Sequence, residues 1–377
     1  MKMHNNKITI FNRFSFLKPA ITAINTTSKF ILSFVFLAGS ISMQDVIAGG
    51  EAGPIHLRDQ GHFYVGVRTF EIPGNPNAGR FGAAGLGVYG QMYVGYQLPE
   101  NRTQKYPLIL VHGGGGQSTD WMGSPDGRDG WLDYFLVAGF DVYIVDRPAH
   151  GRSPSNTRYG ELQDPPSSGF IGFLAKSDQY PGKGDPKHPM TLAQLASSNP
   201  GPTIGFDMLK ENFAELLDKV GPAIVMTQSA GGTSGWVSID ARPELVKAVV
   251  AIEAASGFER LPLTWKPALK EGESIQTVSV DPKMEGLAAC NMQPENNVHK
   301  LPNFKGIPIL GIVSPQSAMF TASYHCTIDF INQAGGNATL LRLKEDAGID
   351  GNGHMMQGAY NNGEIAKLMI EWMEKIK

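Results

Sequence analysis

Ser229 stands where a strand pattern ends and a run of small residues begins. Residues 225–228 close an apolar stretch, and Ala230, Gly231 and Gly232 follow the serine. A strand that turns sharply into a helix presents one side chain at the apex of the turn. A base can reach a hydroxyl placed there, and free backbone N–H groups can meet an oxyanion. The pattern therefore predicts that Ser229 is a nucleophile.

A serine hydroxyl is a poor nucleophile without a general base, and His354 is the strongest candidate for that base. It ends the glycine-rich turn 348–354, between the last predicted strand and the last predicted helix. A histidine on a loop at the strand ends can swing over a serine there. A surface histidine with no role is the alternative. We interpret His112 and His150 as structural.

The base in turn needs a carboxylate that fixes its tautomer. In the usual layout this acid follows the penultimate strand, but the predicted strand 307–313 ends in Ser-Pro-Gln-Ser. One strand earlier, Glu253 directly follows the apolar run 246–252. A carboxylate there is costly unless something pairs with it, so we predict Glu253 as the acid. A glutamate that only binds loop amides is the alternative, and Asp350 is the weaker substitute.

Four consecutive glycines, 113–116, follow His112 and the apolar run 106–111. Their high entropy cost calls for a backbone requirement. A phosphate-binding loop would continue with Gly-Lys-Ser/Thr, whereas Gln-Ser-Thr follows here. An oxyanion hole is the other requirement, because a glycine loop can aim N–H groups at a developing alkoxide. A loop that is only flexible is the remaining alternative.

The elements that must position these residues alternate between strands and helices. Residues 61–70 and 90–98 alternate apolar and polar positions and predict an antiparallel pair. Near-continuous apolar runs predict buried strands at 106–111, 140–145, 223–226, 246–252, 307–313 and 339–343. Helical patterns cover 130–138, 206–219, 230–240, 316–333 and 363–376. The order predicts an α/β fold with a mostly parallel central sheet, right-handed crossovers and helices on both faces.

Two segments interrupt the alternation, at about 153–203 and 258–301. Long insertions of this kind in a compact domain are typical of lids and binding loops. We interpret both as lid-like loop insertions of a single catalytic domain, 49–377, over the end of the sheet where a site would lie.

The first 44 residues carry five basic side chains and no acid, and an apolar run spans 30–43. That run is short for a membrane span but fits a secretory signal, so we expect residues 1–48 to be a signal peptide and leader. An uncleaved anchor and an organellar transit peptide are the alternatives. The predicted destination is the periplasm or the exterior, with no stable membrane span after cleavage.

Export bears on the two cysteines, Cys290 and Cys326. In an oxidising compartment such a pair is usually bridged, and two buried free thiols are the alternative. The net charge of −3 gives no broad basic face for nucleic acid.

From about residue 90 onward the chain resembles the α/β-hydrolase superfamily, in the His112–Gly116 loop, the turn 146–153, the Ser229 elbow and Gly353-His354. It looks most similar to exported bacterial esterases whose triad acid is a glutamate after the sixth strand. The resemblance implies Ser229 as nucleophile, His354 as general base and then acid, and Glu253 as the orienting carboxylate. It also implies oxyanion donors at the N–H of Ala230 and of Gly114 or Gly115. Thr227 departs from the pattern, because the first elbow position is usually glycine.

The predicted activity is serine carboxylic-ester hydrolysis through an acyl-enzyme. A lactonase, amidase, polyester hydrolase or acyltransferase could use the same residues, and a non-catalytic binding protein is the alternative from another class. No metal-spaced His/Asp cluster appears, so we expect no metal and no cofactor. The expected partner is a small-molecule ester. The sequence does not decide between a monomer and a homodimer. Five apolar residues are candidates for the walls of the substrate pocket, and for each of them an ordinary place in the core is the alternative. They are Trp121, Trp236, Trp265, Phe170 and Met355.

Overall fold

The apolar runs form one central sheet in a computed structural model, which describes residues 52–161, 164–199 and 204–377. The predicted leader, residues 1–48, lies outside the described residues. The sheet has eight strands in the order β1-β4-β6-β5-β7-β8-β11-β12. Its strands are β1 (Leu57–Val65), β4 (Met92–Pro99), β5 (Leu108–Val111), β6 (Val142–Asp146), β7 (Ala223–Gln228), β8 (Val246–Ile252), β11 (Pro308–Val313) and β12 (Asn337–Arg342).

The strand directions match the predicted α/β architecture. β1 pairs antiparallel with β4, and β4 pairs antiparallel with β6. The pairs from β6 through β5, β7, β8 and β11 to β12 are all parallel. The carboxyl ends of the parallel strands therefore lie along one edge, where residues that follow these strands can meet. Two further pairs lie outside this sheet, β2 (Arg68–Ile72) with β3 (Gly85–Tyr89) and β9 (Val278–Val280) with β10 (Cys290–Met292).

Nine α-helices are described. Their bounds are α1 (Thr119–Met122), α2 (Trp131–Val137), α3 (Ser168–Ala175), α4 (Pro189–Ala196), α5 (Phe206–Val220), α6 (Gly232–Ala241), α7 (Tyr324–Gln333), α8 (Leu343–Ala347) and α9 (Asn362–Met373). Short 3₁₀ turns lie between them, including Ser229–Gly231 between β7 and α6. No helix in the described ranges is both long and apolar enough to cross a membrane.

The helices cover both faces of the sheet, as the strand composition predicted. Alternate residues of β5 point to opposite faces, since Ile109 belongs to one core cluster and Leu110 to the other. The first cluster includes Phe213 of α5 and Trp236 of α6. The second includes residues of α2 and α9, with Trp131 fully buried. The α/β-hydrolase fold class is confirmed.

The insertion at 153–203 contains regular structure that the sequence pattern did not indicate. Helix α3 begins after Ser167, whose side chain accepts a hydrogen bond from the Phe170 N–H. Helix α4 starts with a proline at its first position. Both are only eight residues long. Residues of this insertion form a small apolar cluster with Met355, the neighbour of His354, so the insertion packs beside the predicted base.

The insertion at 258–301 carries the short β9–β10 pair and is fastened to α7. A disulfide joins Cys290, the first residue of β10, to Cys326 in α7. Helix α7 begins at Tyr324, eight residues later than the predicted start of 316. The residues before it form turns, because the hydroxyl groups of Ser314 and Ser317 donate hydrogen bonds to Glu253.

Candidate active site

Ser229 lies at the apex of a strained turn at the carboxyl end of β7. Its φ of 52° is in the left-handed region, which is rare for a residue with a side chain. The turn passes directly into α6, and a Cβ at Gly232 would lie 2.6 Å from the Ala254 Cβ. Only glycine fits such a close approach. The turn therefore places Ser229 at the strand edge, in the conformation of a nucleophile elbow.

Thr227 is accommodated by a glycine on the facing helix. A Cβ at Gly235 of α6 would lie 3.1 Å from the Thr227 Cγ2, so the missing side chain leaves room for the threonine methyl. The Thr227 side chain is fully buried. The departure from the usual elbow glycine is thus compensated across the β7–α6 contact.

Glu253 and His354 are bonded to each other in the interior. His354 Nδ1 lies 2.6 Å from Glu253 Oε2, and the two side chains are 2% and 0% exposed. Because a carboxylate only accepts, Nδ1 carries the proton and Nε2 is left as an acceptor. This is the tautomer that a general base requires. The other carboxylate considered, Asp350, pairs instead with Lys344 at 2.7 Å near the surface.

Serines that follow β11 hold the other sites of the Glu253 carboxylate. Oε1 accepts from the Ser314 N–H at 2.9 Å and from the Ser314 hydroxyl at 2.6 Å. Oε2 also accepts from the Ser317 hydroxyl at 2.7 Å. These bonds compensate for the burial of the charge. The segment after β11 has no carboxylate at the position where the triad acid is usual. It supplies instead the hydrogen-bond donors for Glu253, which follows the neighbouring strand β8.

His354 Nε2 faces the Gln228 side chain, and both residues line one cavity with Ser229. The Gln228 amide nitrogen is 3.2 Å from Nε2 and 3.4 Å from the His354 carbonyl oxygen. Among the hydrogen bonds of the described residues, none joins the Ser229 hydroxyl to Nε2. Catalytic hydrogen bonds are often long or poorly aligned without substrate. The Phe320 ring stacks on the imidazole at 5.0 Å between centroids and restrains its tilt.

The glycine loop packs against the elbow. A Cβ at Gly113 would lie 3.1 Å from the Ser229 Cβ, and one at Gly114 would lie 3.2 Å from the Ala230 Cβ. The Gly115 carbonyl accepts from the Asn199 N–H at 2.7 Å, which ties the loop to the end of the first insertion. Gly114, Gly115 and Ala230 line the same cavity as Ser229.

His112 and His150 have structural partners. His112 Nε2 accepts from the Arg147 N–H at 3.0 Å, and burial holds the pKa of His112 well below its usual value. His150 Nδ1 bonds the Pro148 carbonyl at 2.9 Å, and burial lowers the pKa of His150 to about 4. Both rings are thus neutral at pH 7 and hold the backbone around the glycine loop.

Two cavities meet at Ser229. The larger, which we call the entrance cavity, has a volume of about 430 Å³. Its lining includes Gly114, Gly115, Ser229 and Ala230, the apolar residues Pro166, Phe170, Leu174 and Met319, and the polar residues His150, Asp164 and Asn199. The smaller, which we call the triad niche, has a volume of about 30 Å³ and is lined by Ser229, His354 and Met355, among others. Phe170 and Met355, proposed as pocket walls, do line cavities. Trp121, Trp236 and Trp265 belong to the core clusters.

Five polar residues at the triad niche were not identified from the sequence: Asp120, Gln194, Ser198, Gln228 and Gln357. Asp120 follows the glycine loop by four positions, which is the one sequence signal that could have drawn attention to it. Its Oδ1 accepts from the Gln194 amide at 3.0 Å. Enclosure by the protein raises the pKa of Asp120 to about 6.

One group of potential metal ligands occurs among the described residues, namely Cys290, His325 and Cys326. Both sulfurs are bonded in the disulfide, so this group does not offer two thiolates.

Sequence comparison places the chain among known proteins. A family model described as "alpha/beta hydrolase fold" matches residues 106–277. A protein of Fungal sp. (strain ATCC 74256), "Probable secreted lipase phiG", is 32% identical over 315 residues, with 75% of this chain and 86% of that protein covered. The chain belongs to the α/β-hydrolase family. The family resemblance predicted from the sequence motifs is thereby confirmed.

Structural comparison agrees with this assignment. The solved structure "The Atomic Resolution Structure of a Novel Bacterial Esterase" matches this α/β hydrolase with a TM-score of 0.65 and 23% identity. The match covers 87% of this chain and 99% of the other. At that identity the likeness shows a shared fold.

Proposed function

We propose that this α/β hydrolase is a serine carboxylic-ester hydrolase that works through an acyl-enzyme, with Ser229, His354 and Glu253 as its triad. The observation that carries the proposal is the buried Glu253–His354 bond of 2.6 Å next to a serine with a φ of 52°. The bond prepares Nε2 to accept a proton, and the strained turn presents the hydroxyl that would lose it. The relatives named as a lipase and an esterase support the same reaction class.

The proposed reaction begins with an ester in the entrance cavity. The Ser229 hydroxyl attacks the ester carbonyl, and His354 Nε2 takes its proton. The N–H groups of Ala230 and of Gly114 or Gly115 stabilise the oxyanion, and each such donor typically contributes about 2.7–4 kcal/mol to lowering the barrier. His354 then protonates the departing alkoxide. Water finally cleaves the acyl-serine ester, and His354 returns the proton to Ser229.

The walls of the entrance cavity favour an apolar portion of the substrate. Phe170, Leu174 and Met319 supply apolar surface, and about 430 Å³ accommodates a small ester with a short chain.

Hydrolysis of a short p-nitrophenyl ester by wild type and by Ser229→Ala tests the proposal. We expect turnover by the wild type and a loss of about 10⁶-fold in kcat for the variant, as serine triads show. Comparable turnover by Ser229→Ala would refute the triad. A folded wild type without turnover on a panel of esters, lactones and amides would favour a binding protein.

We also infer that the protein is exported. The basic and apolar leader, the Cys290–Cys326 disulfide and a relative named as secreted support this inference together. Amino-terminal sequencing of the purified protein from a cell fractionation tests it. We expect a start near residue 49 in the exported fraction, whereas an intact leader in the cytosol would contradict it.

A further inference from the structure

The triad niche has the size and the lining of a site for ordered water. Its volume is about 30 Å³, and a single water needs roughly 10–15 Å³ of cavity together with two to four polar partners. Polar side chains that line it are Asp120, Gln194, Ser198, Gln228 and Gln357, in addition to Ser229 and His354.

Gln357 supplies an independent sign of a ligand in the triad niche. Its side chain is 7% exposed, and within the described part of the chain its Oε1 is buried without a hydrogen-bond partner. A buried acceptor left unpaired costs about 1–3 kcal/mol, so such atoms usually bind ordered water. The other amides of the niche are occupied, since Gln194 donates to Asp120 at 3.0 Å and Gln228 lies 3.2 Å from His354 Nε2.

The two cavities at Ser229 separate water from substrate. Ser229 lines both, whereas His354 lines only the triad niche. An acyl group bound to Ser229 would extend into the entrance cavity, which offers about 430 Å³ against about 30 Å³ in the triad niche. Ile171 and Leu174 of α3 and Met355 form the apolar part of the niche wall. A water in the niche thus stays next to the base while substrate fills the other side.

We propose that the triad niche holds the water that hydrolyses the acyl-enzyme, and that Gln357 is the positioning residue for this water. The proposal rests on the proposed function. In the step, the water oxygen bonds to the acyl carbon while one of its protons passes to His354 Nε2. The bond between the acyl carbon and Ser229 Oγ then breaks, and Oγ takes that proton. Gln357 Oε1 accepts the second hydrogen of the water and so directs its lone pair toward the acyl carbon.

The niche also accounts for a choice between acceptors. Methanol has a single hydroxyl hydrogen, which would pass to His354 Nε2, so it has no second hydrogen to donate to Gln357 Oε1. Water therefore has an advantage over alcohols as the acyl acceptor. The acceptor at Gln357 would then favour hydrolysis over transfer to alcohols, in addition to the chemistry of the triad.

Stopped-flow kinetics with p-nitrophenyl acetate tests the proposal, because the burst reports acylation and the steady state reports deacylation. Gln357→Met keeps the length of the side chain and removes the acceptor. We expect its burst rate constant within threefold of wild type, and a steady-state rate lower by roughly tenfold, the worth of one hydrogen bond. With added methanol, the ratio of methyl ester to acid formed should rise. Gln276→Met, at an exposed glutamine bonded to Ser274, is the matched control and should behave as wild type.

Gln357→Glu retains an acceptor oxygen and should deacylate within threefold of wild type. It also keeps the test available if the methionine variant fails to fold, which a thermal melt would reveal. An unchanged steady-state rate and product ratio in folded Gln357→Met would overturn the proposal, as would a glutamate variant slowed as much as the methionine variant. Absence of any burst in wild type would count instead against the acyl-enzyme itself.

Discussion

The substitution Glu253→Gln is the most informative perturbation of the proposed triad, because it preserves volume, removes the charge and replaces one acceptor oxygen with an amide donor. The new amide has two orientations. If its nitrogen faced Ser314, it would meet the Ser314 N–H, which bonds Oε1 at 2.9 Å in the native protein and cannot rotate away. Two buried donors facing each other cost about 1–3 kcal/mol. The amide nitrogen therefore turns toward His354, since the Ser317 hydroxyl can rotate to accept.

That orientation imposes the wrong tautomer on the base. His354 Nδ1 must then accept from the amide, so Nε2 carries the proton and cannot take one from Ser229. The bias of 1–3 kcal/mol leaves the correct tautomer at about one part in 5 to one part in 150. Losing the carboxylate charge at 2.6 Å from Nδ1 removes a charge-assisted bond of about 1.5–3 kcal/mol, a further factor of roughly 10–150. We expect kcat to fall by about 10² to 10⁴, the range in which the loss of a triad acid lies.

The assay is kcat and KM for a short p-nitrophenyl ester, with a thermal melt to verify folding. Asp350→Asn is the matched control, because Asp350 pairs with Lys344 away from the base, and it should stay within twofold of wild type. A Glu253→Gln variant that kept more than a tenth of wild-type kcat would refute the assignment of the acid. Loss of activity in Asp350→Asn, with Glu253→Gln active, would transfer the role to Asp350.

Two further predictions concern the surroundings of the proposed triad, and a third concerns the disulfide. Ser317→Ala removes one charge-assisted donor from Glu253, and we expect kcat to fall by roughly tenfold at unchanged KM; an unchanged kcat would mean that Ser314 alone holds the carboxylate. The pKa of Asp120, about 6 in the folded protein, lies above its unfolded value of 3.8, so the native state binds more protons between these values and stability falls as pH rises through that window. The melting temperature of Asp120→Asn minus that of wild type should therefore become more positive from pH 4 to pH 7. An equal difference at the two pH values would contradict the raised pKa. Replacing Cys290 and Cys326 with serine should lower the free energy of unfolding by about 4 kcal/mol, measured by urea titration, given the sequence separation of 36 residues; no change on replacement would contradict a stabilising bridge.

The sheet was predictable because its strands have a simple physical signature. Strand β8 occupies 246–252 as predicted, since an uninterrupted apolar run can be satisfied only by burial on both faces. Helix α5 likewise follows its predicted span closely, because its apolar positions recur with helical spacing. Helices α3 and α4 were not predicted, because eight residues give too little periodicity and their stability comes from packing beside Met355.

The contacts within the site were less accessible than its residue types. Glu253 could be chosen because a carboxylate at the end of a buried strand demands a partner, and that reasoning identified the residue that bonds His354. The start of α7 was misjudged because Ser314 and Ser317 turn toward Glu253 and hold the chain out of a helix. Gln357 gives no signal in the sequence, since only the folded cavity shows that its acceptor is buried without a partner.

Covalent trapping of an activated serine is the most direct test of Ser229 as the nucleophile. Wild type and Ser229→Ala would be treated with an organophosphonate ester that reacts with activated serines, and the adduct would be located by peptide mass spectrometry. We expect one adduct on Ser229 in wild type, none in Ser229→Ala, and much slower labelling of Glu253→Gln because its His354 holds the wrong tautomer. An adduct on a different residue, or labelling that survives in Ser229→Ala, would contradict this assignment.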